Sequence, residues 1–216
     1  MTPKHHRLPI VTAGAELDTA EVVIVAVHGR DQGPEYLIEH LVEPLLAALD
    51  DAVTIAVLMP EATGHRWYRQ RYNAPLAENQ PDLDDALAVL DRIAAEHLAT
   101  IEQTRVLWAG FSQGACLVAE HLARRPRRWG AAAILTGGRI GPDDIDLAID
   151  GEFGSMPAYF GVGRNDDWVS LERVTGTAEA FAAAGASVTV DEFDDAEHVI
   201  RAAEIERMAA MLAEMG

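Results

Sequence analysis

An α/β fold is predicted, a doubly wound and mostly parallel sheet of about seven strands flanked by helices, with no large lid domain. Three observations predict it. Short apolar runs rich in β-branched residues recur along the whole chain. Amphipathic helical stretches alternate with them. The strongest run, Val22 to Val27, is continuous rather than alternating, as a strand covered on both faces should be.

The elements follow in order. Leu8 to Thr12 reads as a first strand that turns at Gly14 back toward Val22 to Val27. The turn-rich loop His28-Gly29-Arg30-Asp31-Gln32-Gly33-Pro34 precedes a helix from Glu35 to Leu49, with Leu37, Leu41, Leu45 and Leu49 on one face. Pro44 predicts a kink or break there. Val53 to Met59 is the next strand, stopped by Pro60. Glu61 to Pro81 reads as a long irregular loop in which Trp67, Tyr68 and Tyr72 alternate with Arg66, Arg69 and Arg71. Asp82 is expected to cap a helix striped by Leu83, Leu87, Leu90, Ala94 and Leu98. A strand through Val106 to Ala109 leads to Ser112 and a helix ending at Arg124-Arg125-Pro126. Ala131 to Thr136 and Pro157 to Gly163 are strands, with a short helix expected between Pro142 and Gly154. A helix from Glu172 to Ala184 stops at Gly185; Ser187 to Phe193 is the last strand, and a final helix turns Ile205, Met208 and Leu212 inward.

At 216 residues, with no linker, repeat or low-complexity tract, a single domain (1–216) is expected. The net charge of -18 argues against nucleic acid, because phosphate binding needs a positive surface. Lys4 is the only lysine, and one cysteine, Cys116, rules out an internal disulfide and fits a reducing compartment. Cys116 itself reads as a buried small hydrophobe. Met1 to Arg7 leads into no long apolar run, so neither a secretory leader nor a transmembrane segment is expected. A cytoplasmic location follows, and a homodimer is left open.

The chemistry centres on Gly110-Phe111-Ser112-Gln113-Gly114, which fits the G-x-S-x-G elbow. A serine on a strained strand-to-helix turn brings backbones too close for side chains two residues either side. Composition alone would produce such a pentapeptide in about one chain in forty, so the flanking strand and helix carry the weight. Two partners follow on loops after later strands: Asp166 or Asp167, then His198. In a parallel sheet those loops converge at the carboxyl ends of the strands. Ser112 would attack a carbonyl, His198 would carry the proton, and the aspartate would fix the imidazole tautomer. Asp194 and Asp195 are nearer in sequence and are alternative orienters. The main-chain N–H groups of Gln113 and Arg30 are the expected oxyanion donors. The arginines of the loop around Trp67 to Tyr72, Arg69 and Arg71, are expected either to attract an anionic group on the substrate or to pair with neighbouring acids. The cluster Arg124, Arg125, Arg127 and Arg128 reads as a solvated helix end. His5, His6, His40, His65, His97 and His121 show no metal-ligand spacing, and Gly161-Val162-Gly163 is no phosphate loop.

These residues resemble the phospholipase/carboxylesterase family of α/β-hydrolases, which includes acyl-protein thioesterases and small carboxylesterases. The likeness runs from the first buried strand to the last helix. Gly110 to Ala115 is close to the family's elbow, and Trp67-Tyr68 stands where it often has a Trp-aromatic pair. Asp166-Asp167-Trp168-Val169 matches its Asp-x-x-Val pattern, which selects Asp166. The resemblance implies a Ser112–Asp166–His198 triad, oxyanion donors at Arg30 and Gln113, no cofactor and no metal. It further implies a small-molecule ester or thioester substrate, in a pocket to which Trp67, Tyr68, Arg69, Arg71 and Trp168 are assigned. Departures lie at Arg30, where the family has a hydrophobic residue, at Asp167 in place of proline, and at Glu197 in place of glycine. A dienelactone-type or other small-lactone hydrolase is the alternative, although a serine nucleophile counts against the former. A ligand-binding protein without catalysis is the remaining one.

Overall fold

A computed structural model describes residues 8–49 and 52–216. Lys4, His5, His6 and the leaderless reading of Met1 to Arg7 lie outside the described residues. Seven strands form one sheet: β1 (Ile10–Gly14), β2 (Val22–Val27), β3 (Ile55–Pro60), β4 (Val106–Phe111), β5 (Ala131–Leu135), β6 (Pro157–Gly163) and β7 (Ser187–Phe193). Their order is β1-β3-β2-β4-β5-β6-β7, parallel throughout except for antiparallel β1. The expected turn of β1 back onto β2 does not occur, because β1 pairs with β3 and Gly14 (φ +77°) serves to let Ile55 O approach.

β2, β3 and β4 are buried along their whole length, whereas the edge strand β7 alternates between exposed and half-buried positions. The alternation of Cβ directions divides the core into two layers. Val23, Val25 and Val27 face α2 (Asp82–Arg92), α3 (Gln113–Arg124) and α4 (Leu171–Ala183). Val22, Ile24 and Ala26 face α1 and α5 (Ala202–Met215). Here α1 comprises Pro34–Leu37, a π turn at Ile38–Val42, and Glu43–Leu49.

That π turn is how the chain accommodates Pro44: of the expected kink or break, the structure shows an interruption of the α geometry just before the proline and no break in the helix. Glu43 N–H reaches back to Ile38 O, and the widened turn leaves room for a ring that has no N–H to donate. Leu37, Leu41, Leu45 and Leu49 remain on one buried face. Asp82 is not a cap either. It opens α2 after Pro81, and its carboxylate accepts instead from Arg69 Nε at 3.0 Å. Residues 142–154 form turns and no helix. Buried Arg173 holds the start of that stretch by donating to the carbonyls of Arg139, Gly141 and Pro142. α4 ends as expected at Gly185 (φ +81°): Ala186 N–H bonds Phe181 O and Gly185 N–H bonds Ala182 O, a Schellman closure. At the end of α3, Arg124 pairs with Glu120 and Arg125 with Asp91, so both arginines are ion-paired. Among the described residues, no helix is long and apolar enough to cross a membrane.

α5 carries a carboxyl group into the core. Glu204 is fully buried, and only because Gly161 has no side chain; a Cβ there would lie 2.0 Å from Glu204 Oε1. Burial pushes its pKa up from 4.5 to about 7, against the opposing bond and charge from Arg201. Between those values the folded chain keeps a proton that the unfolded chain has lost, so stability falls as pH rises across the window. Glu204→Gln is expected to flatten that decline, measured as urea midpoints between about pH 5 and pH 7.

The strand order reverses at β2, with β3 on one side and β4 on the other. The loops after β2 and β4 therefore meet at a switch point, where doubly wound sheets place their sites.

Candidate active site

Ser112 sits between β4 and α3 at φ 54°, ψ −118°, a conformation that non-glycine residues rarely adopt. Two glycines make the turn feasible. A Cβ on Gly110 would lie 2.5 Å from Gly114 O, and one on Gly114 would lie 2.1 Å from Val27 O. The turn is held by Ser112 N–H to Leu135 O (3.0 Å) and Cys116 N–H to Ser112 O (3.0 Å).

Ser112 Oγ lies 2.7 Å from His198 Nε2, and His198 Nδ1 lies 2.7 Å from Asp166 Oδ2. A carboxylate on Nδ1 places the ring proton there and leaves Nε2 free to accept from the serine hydroxyl. Asp166 has a side chain with no exposed surface, and its Oδ1 accepts from the N–H groups of Trp168 (2.8 Å) and Val169 (2.9 Å). Burial opposes its charge, but the bond from His198 and those two N–H groups prevail and hold the carboxyl below the usual aspartate range. The histidine ring is flanked by Phe111 (5.2 Å between centroids) and Trp168 (6.0 Å). The other acids do different things. Asp167 offers only its carbonyl, to Arg71, and Asp195 pairs with Arg201.

The loop after β2 lies against Ser112, since a Cβ on Gly29 would stand 3.2 Å from Ser112 Cβ. Buried His28 anchors the start of that loop: its Nε2 accepts from Ala62 N–H (3.1 Å), so Nδ1 carries the proton given to Gly29 O. Asp31 N–H bonds His65 O, and Gly29 N–H bonds Gln32 Oε1. Among the described residues, the main-chain N–H groups of Arg30 and Gln113 donate to no protein acceptor. Gln113 opens α3, so its N–H also stands at the positive end of the helix dipole.

The side chains of those same two residues hold one segment. Arg30 donates to the carbonyls of Tyr68 (3.1 Å), Arg69 (3.0 Å) and Gln70. Gln113 accepts from Trp67 N–H and donates to Tyr68 O, both at 2.9 Å. The stretch expected to be irregular is thus a tied loop with a short helix, Leu76–Asn79.

A cavity of about 330 Å³ opens over Ser112. Tyr68, Arg71 and Trp168 line it, as do Arg30 and Gln113. Trp67 and Arg69 do not, which corrects their assignment to the pocket. Trp67 is fully buried, its indole N–H given to His28 O, and Arg69 turns away to Asp82. Tyr72, Cys116 and Val169 line the cavity without having been assigned to it. Spacing could have found two of them, because Cys116 lies one helical turn from Ser112 and Val169 closes the Asp166 turn. Burial pushes the Cys116 thiol up to about 11, which keeps it protonated. Arg71 bridges two loops by donating to Asp167 O (2.7 Å) and Trp168 O (2.8 Å) while lying 5.6 Å over the Trp168 ring. Among the described residues, no three His, Cys, Asp or Glu side chains converge as a metal site requires.

The sheet, the elbow and the switch-point cavity define an α/β-hydrolase fold. The sequence pattern of the dienelactone hydrolase family matches residues 64–211, and the chain belongs to that family of ester-bond hydrolases. It is also similar to a phospholipase/carboxylesterase from Dyadobacter fermentans, at 32% identity over 96% of this chain and 97% of the other, with a TM-score of 0.87. A Bacillus cereus carboxylesterase (18% identity, 98% and 96% covered, TM-score 0.71) and Arabidopsis thaliana SOBER1 (16%, 90% and 98%, TM-score 0.70) share the fold. No curated protein matches the sequence.

Proposed function

We propose that the chain is a serine hydrolase that cleaves carboxylic esters or thioesters through an acyl-enzyme formed on Ser112. The observation that carries this reading is the continuous chain of contacts from Asp166 through His198 to Ser112, each at 2.7 Å. Ser112 Oγ attacks the carbonyl carbon as its proton passes to His198 Nε2. The tetrahedral oxyanion is taken up by the N–H groups of Gln113 and Arg30. Collapse expels the alcohol or thiol, which leaves with the proton from Nε2. Water then attacks the acyl-enzyme and gives a proton to Nε2, and the second tetrahedral intermediate collapses to the acid as that proton returns to Ser112 Oγ. No step calls for a cofactor.

A small lactone would react by the same steps, and membership of the dienelactone hydrolase family favours keeping it as a second substrate class. Cys116 is no substitute nucleophile, being buried and protonated. The cavity is near the lower end of the usual range of roughly 300–1,000 Å³ for ligand pockets, which favours a short acyl group against Tyr68, Tyr72, Cys116 and Val169. The anion-attracting role considered for the loop arginines loses support. Arg69 is paired with Asp82, while Arg30 through Nη1 and Nη2 and Arg71 through Nη2 are engaged in holding main-chain carbonyls of the surrounding loops. Arg71→Ala is therefore expected to lower kcat/KM on neutral and anionic esters by the same factor. A loss confined to anionic esters would restore that role. Labelling by a fluorophosphonate, located by mass spectrometry, tests the serine reading; a folded protein whose Ser112 stays unlabelled would refute it.

A further inference from the structure

No regular element holds the loop that carries His198. Between Phe193 and Ala202 the main chain joins no ladder and no helix. Arg201 replaces those missing bonds. Its Nη2 donates to Glu197 O (2.6 Å) and its Nη1 to Val199 O (3.3 Å), the carbonyls immediately before and after His198. The same guanidinium grips both oxygens of Asp195, Nη2 to Oδ1 at 2.6 Å and Nε to Oδ2 at 3.2 Å, and lies 4.6 Å over the Phe193 ring.

The clamp is anchored on two further sides. Arg201 N–H bonds Glu204 Oε2 (2.8 Å), which roots it in the first turn of α5. Asp195 O accepts from Asn165 N–H (3.0 Å), the residue before Asp166. Gly163 makes room for the pair, since a Cβ there would lie 2.8 Å from Asp195 Oδ1 and 3.0 Å from Arg201 Nη2. The Arg201 side chain is only 9% exposed, so water does not readily replace these bonds.

We infer that Arg201 is a positioning residue for the triad: it fixes the main chain on both sides of His198 and ties that loop to the one bearing Asp166. This rests on the serine-hydrolase reading. Lysine can reproduce only part of the clamp, because its donors share a single nitrogen whereas the guanidinium spreads five around a plane.

The test compares Arg201→Gln, Arg201→Lys and Asp195→Asn with wild type. The readouts are steady-state hydrolysis of a short-chain p-nitrophenyl ester, the rate of fluorophosphonate labelling, and the thermal midpoint. A catalytic group displaced by about 1 Å can cost roughly 100-fold. Arg201→Gln is therefore expected to lose about ten- to a hundredfold in kcat with KM little changed, and its labelling rate should fall in step. Arg201→Lys should recover part of the loss, and Asp195→Asn should show a smaller one in kcat. If Arg201→Gln does not fold, the other two variants carry the test. A kcat and labelling rate within about twofold of wild type in the folded variants would overturn the inference. So would a loss that appears in KM instead and is unrelieved by lysine. Wild-type protein that is not labelled would refute the serine reading and this inference with it, whereas labelled wild type with equally labelled variants would refute the inference alone.

Discussion

Ser112→Ala is expected to lower kcat by about a millionfold, the scale on which removal of a serine nucleophile acts in a triad hydrolase. The substitution removes one atom, Oγ, and with it the bond to His198 Nε2. It leaves the backbone at φ 54° as it was, because alanine and serine share a Cβ, so the thermal midpoint should move by no more than a few degrees. The proposed oxyanion donors and the cavity remain, and residual hydrolysis about 10³- to 10⁴-fold above that in water is expected from them. The check is kcat on a p-nitrophenyl ester together with intact mass after fluorophosphonate treatment. More than about 1% residual activity in a preparation free of wild type would place the nucleophile elsewhere.

Asp166→Asn should cost about 10⁴-fold in kcat while leaving the fold intact. The amide can keep its oxygen on the N–H groups of Trp168 and Val169, where Asp166 Oδ1 sits now. Its NH₂ group then faces His198 Nδ1 as a donor. The ring must respond by carrying its proton on Nε2, where it can no longer take one from Ser112. Asp167→Asn is the matched control, expected within about twofold of wild type because only the main chain of Asp167 is engaged. The carboxyl also contributes to stability. Its folded pKa lies below the usual aspartate value, so its contribution is present above the unfolded pKa and lost as pH falls through the folded one. The acid limb of the pH–stability curve should therefore be shallower in Asp166→Asn, read from urea midpoints below about pH 5.

The two expected results rest on features of different legibility. Ser112 could be read from its neighbours because the constraint is local: two glycines flank a residue forced to positive φ. His198 and Asp166 could be read because parallel strands deliver their following loops to one edge of the sheet. The choice of Asp166 over Asp167, Asp194 and Asp195 came from a pattern resemblance, and in the structure Asp166 is the carboxylate 2.7 Å from His198 Nδ1. In sequence nothing distinguishes a carboxylate turned into the site from one turned to solvent, and here two adjacent aspartates do each.

The pocket was the least legible part. Trp67 and Trp168 look equally suited to meeting a substrate, yet one has no exposed surface and the other is 57% exposed at the rim. Their fates depend on partners far along the chain. Trp67 is held by His28 and Gln113, 39 and 46 residues away, and Trp168 by Arg71, 97 residues away. Arg69, read as a candidate substrate contact, is claimed by an acid expected to cap a helix. Arg201 carried no sequence signal, because its role comes from carbonyl groups that every residue possesses.

What the sequence determined by itself was whatever depends on local sterics and burial period: the buried strands, the helix faces, the strained elbow and the order along the chain of the three residues of the proposed triad. Only the tertiary structure decided which strand β1 joins, which aromatic ring lines the cavity, and which cations are free to meet a ligand. The physical reason is the same in each case. Local conformation is set by a few neighbouring residues, whereas the direction of a loop side chain is set by hydrogen-bond partners that the fold alone brings within reach.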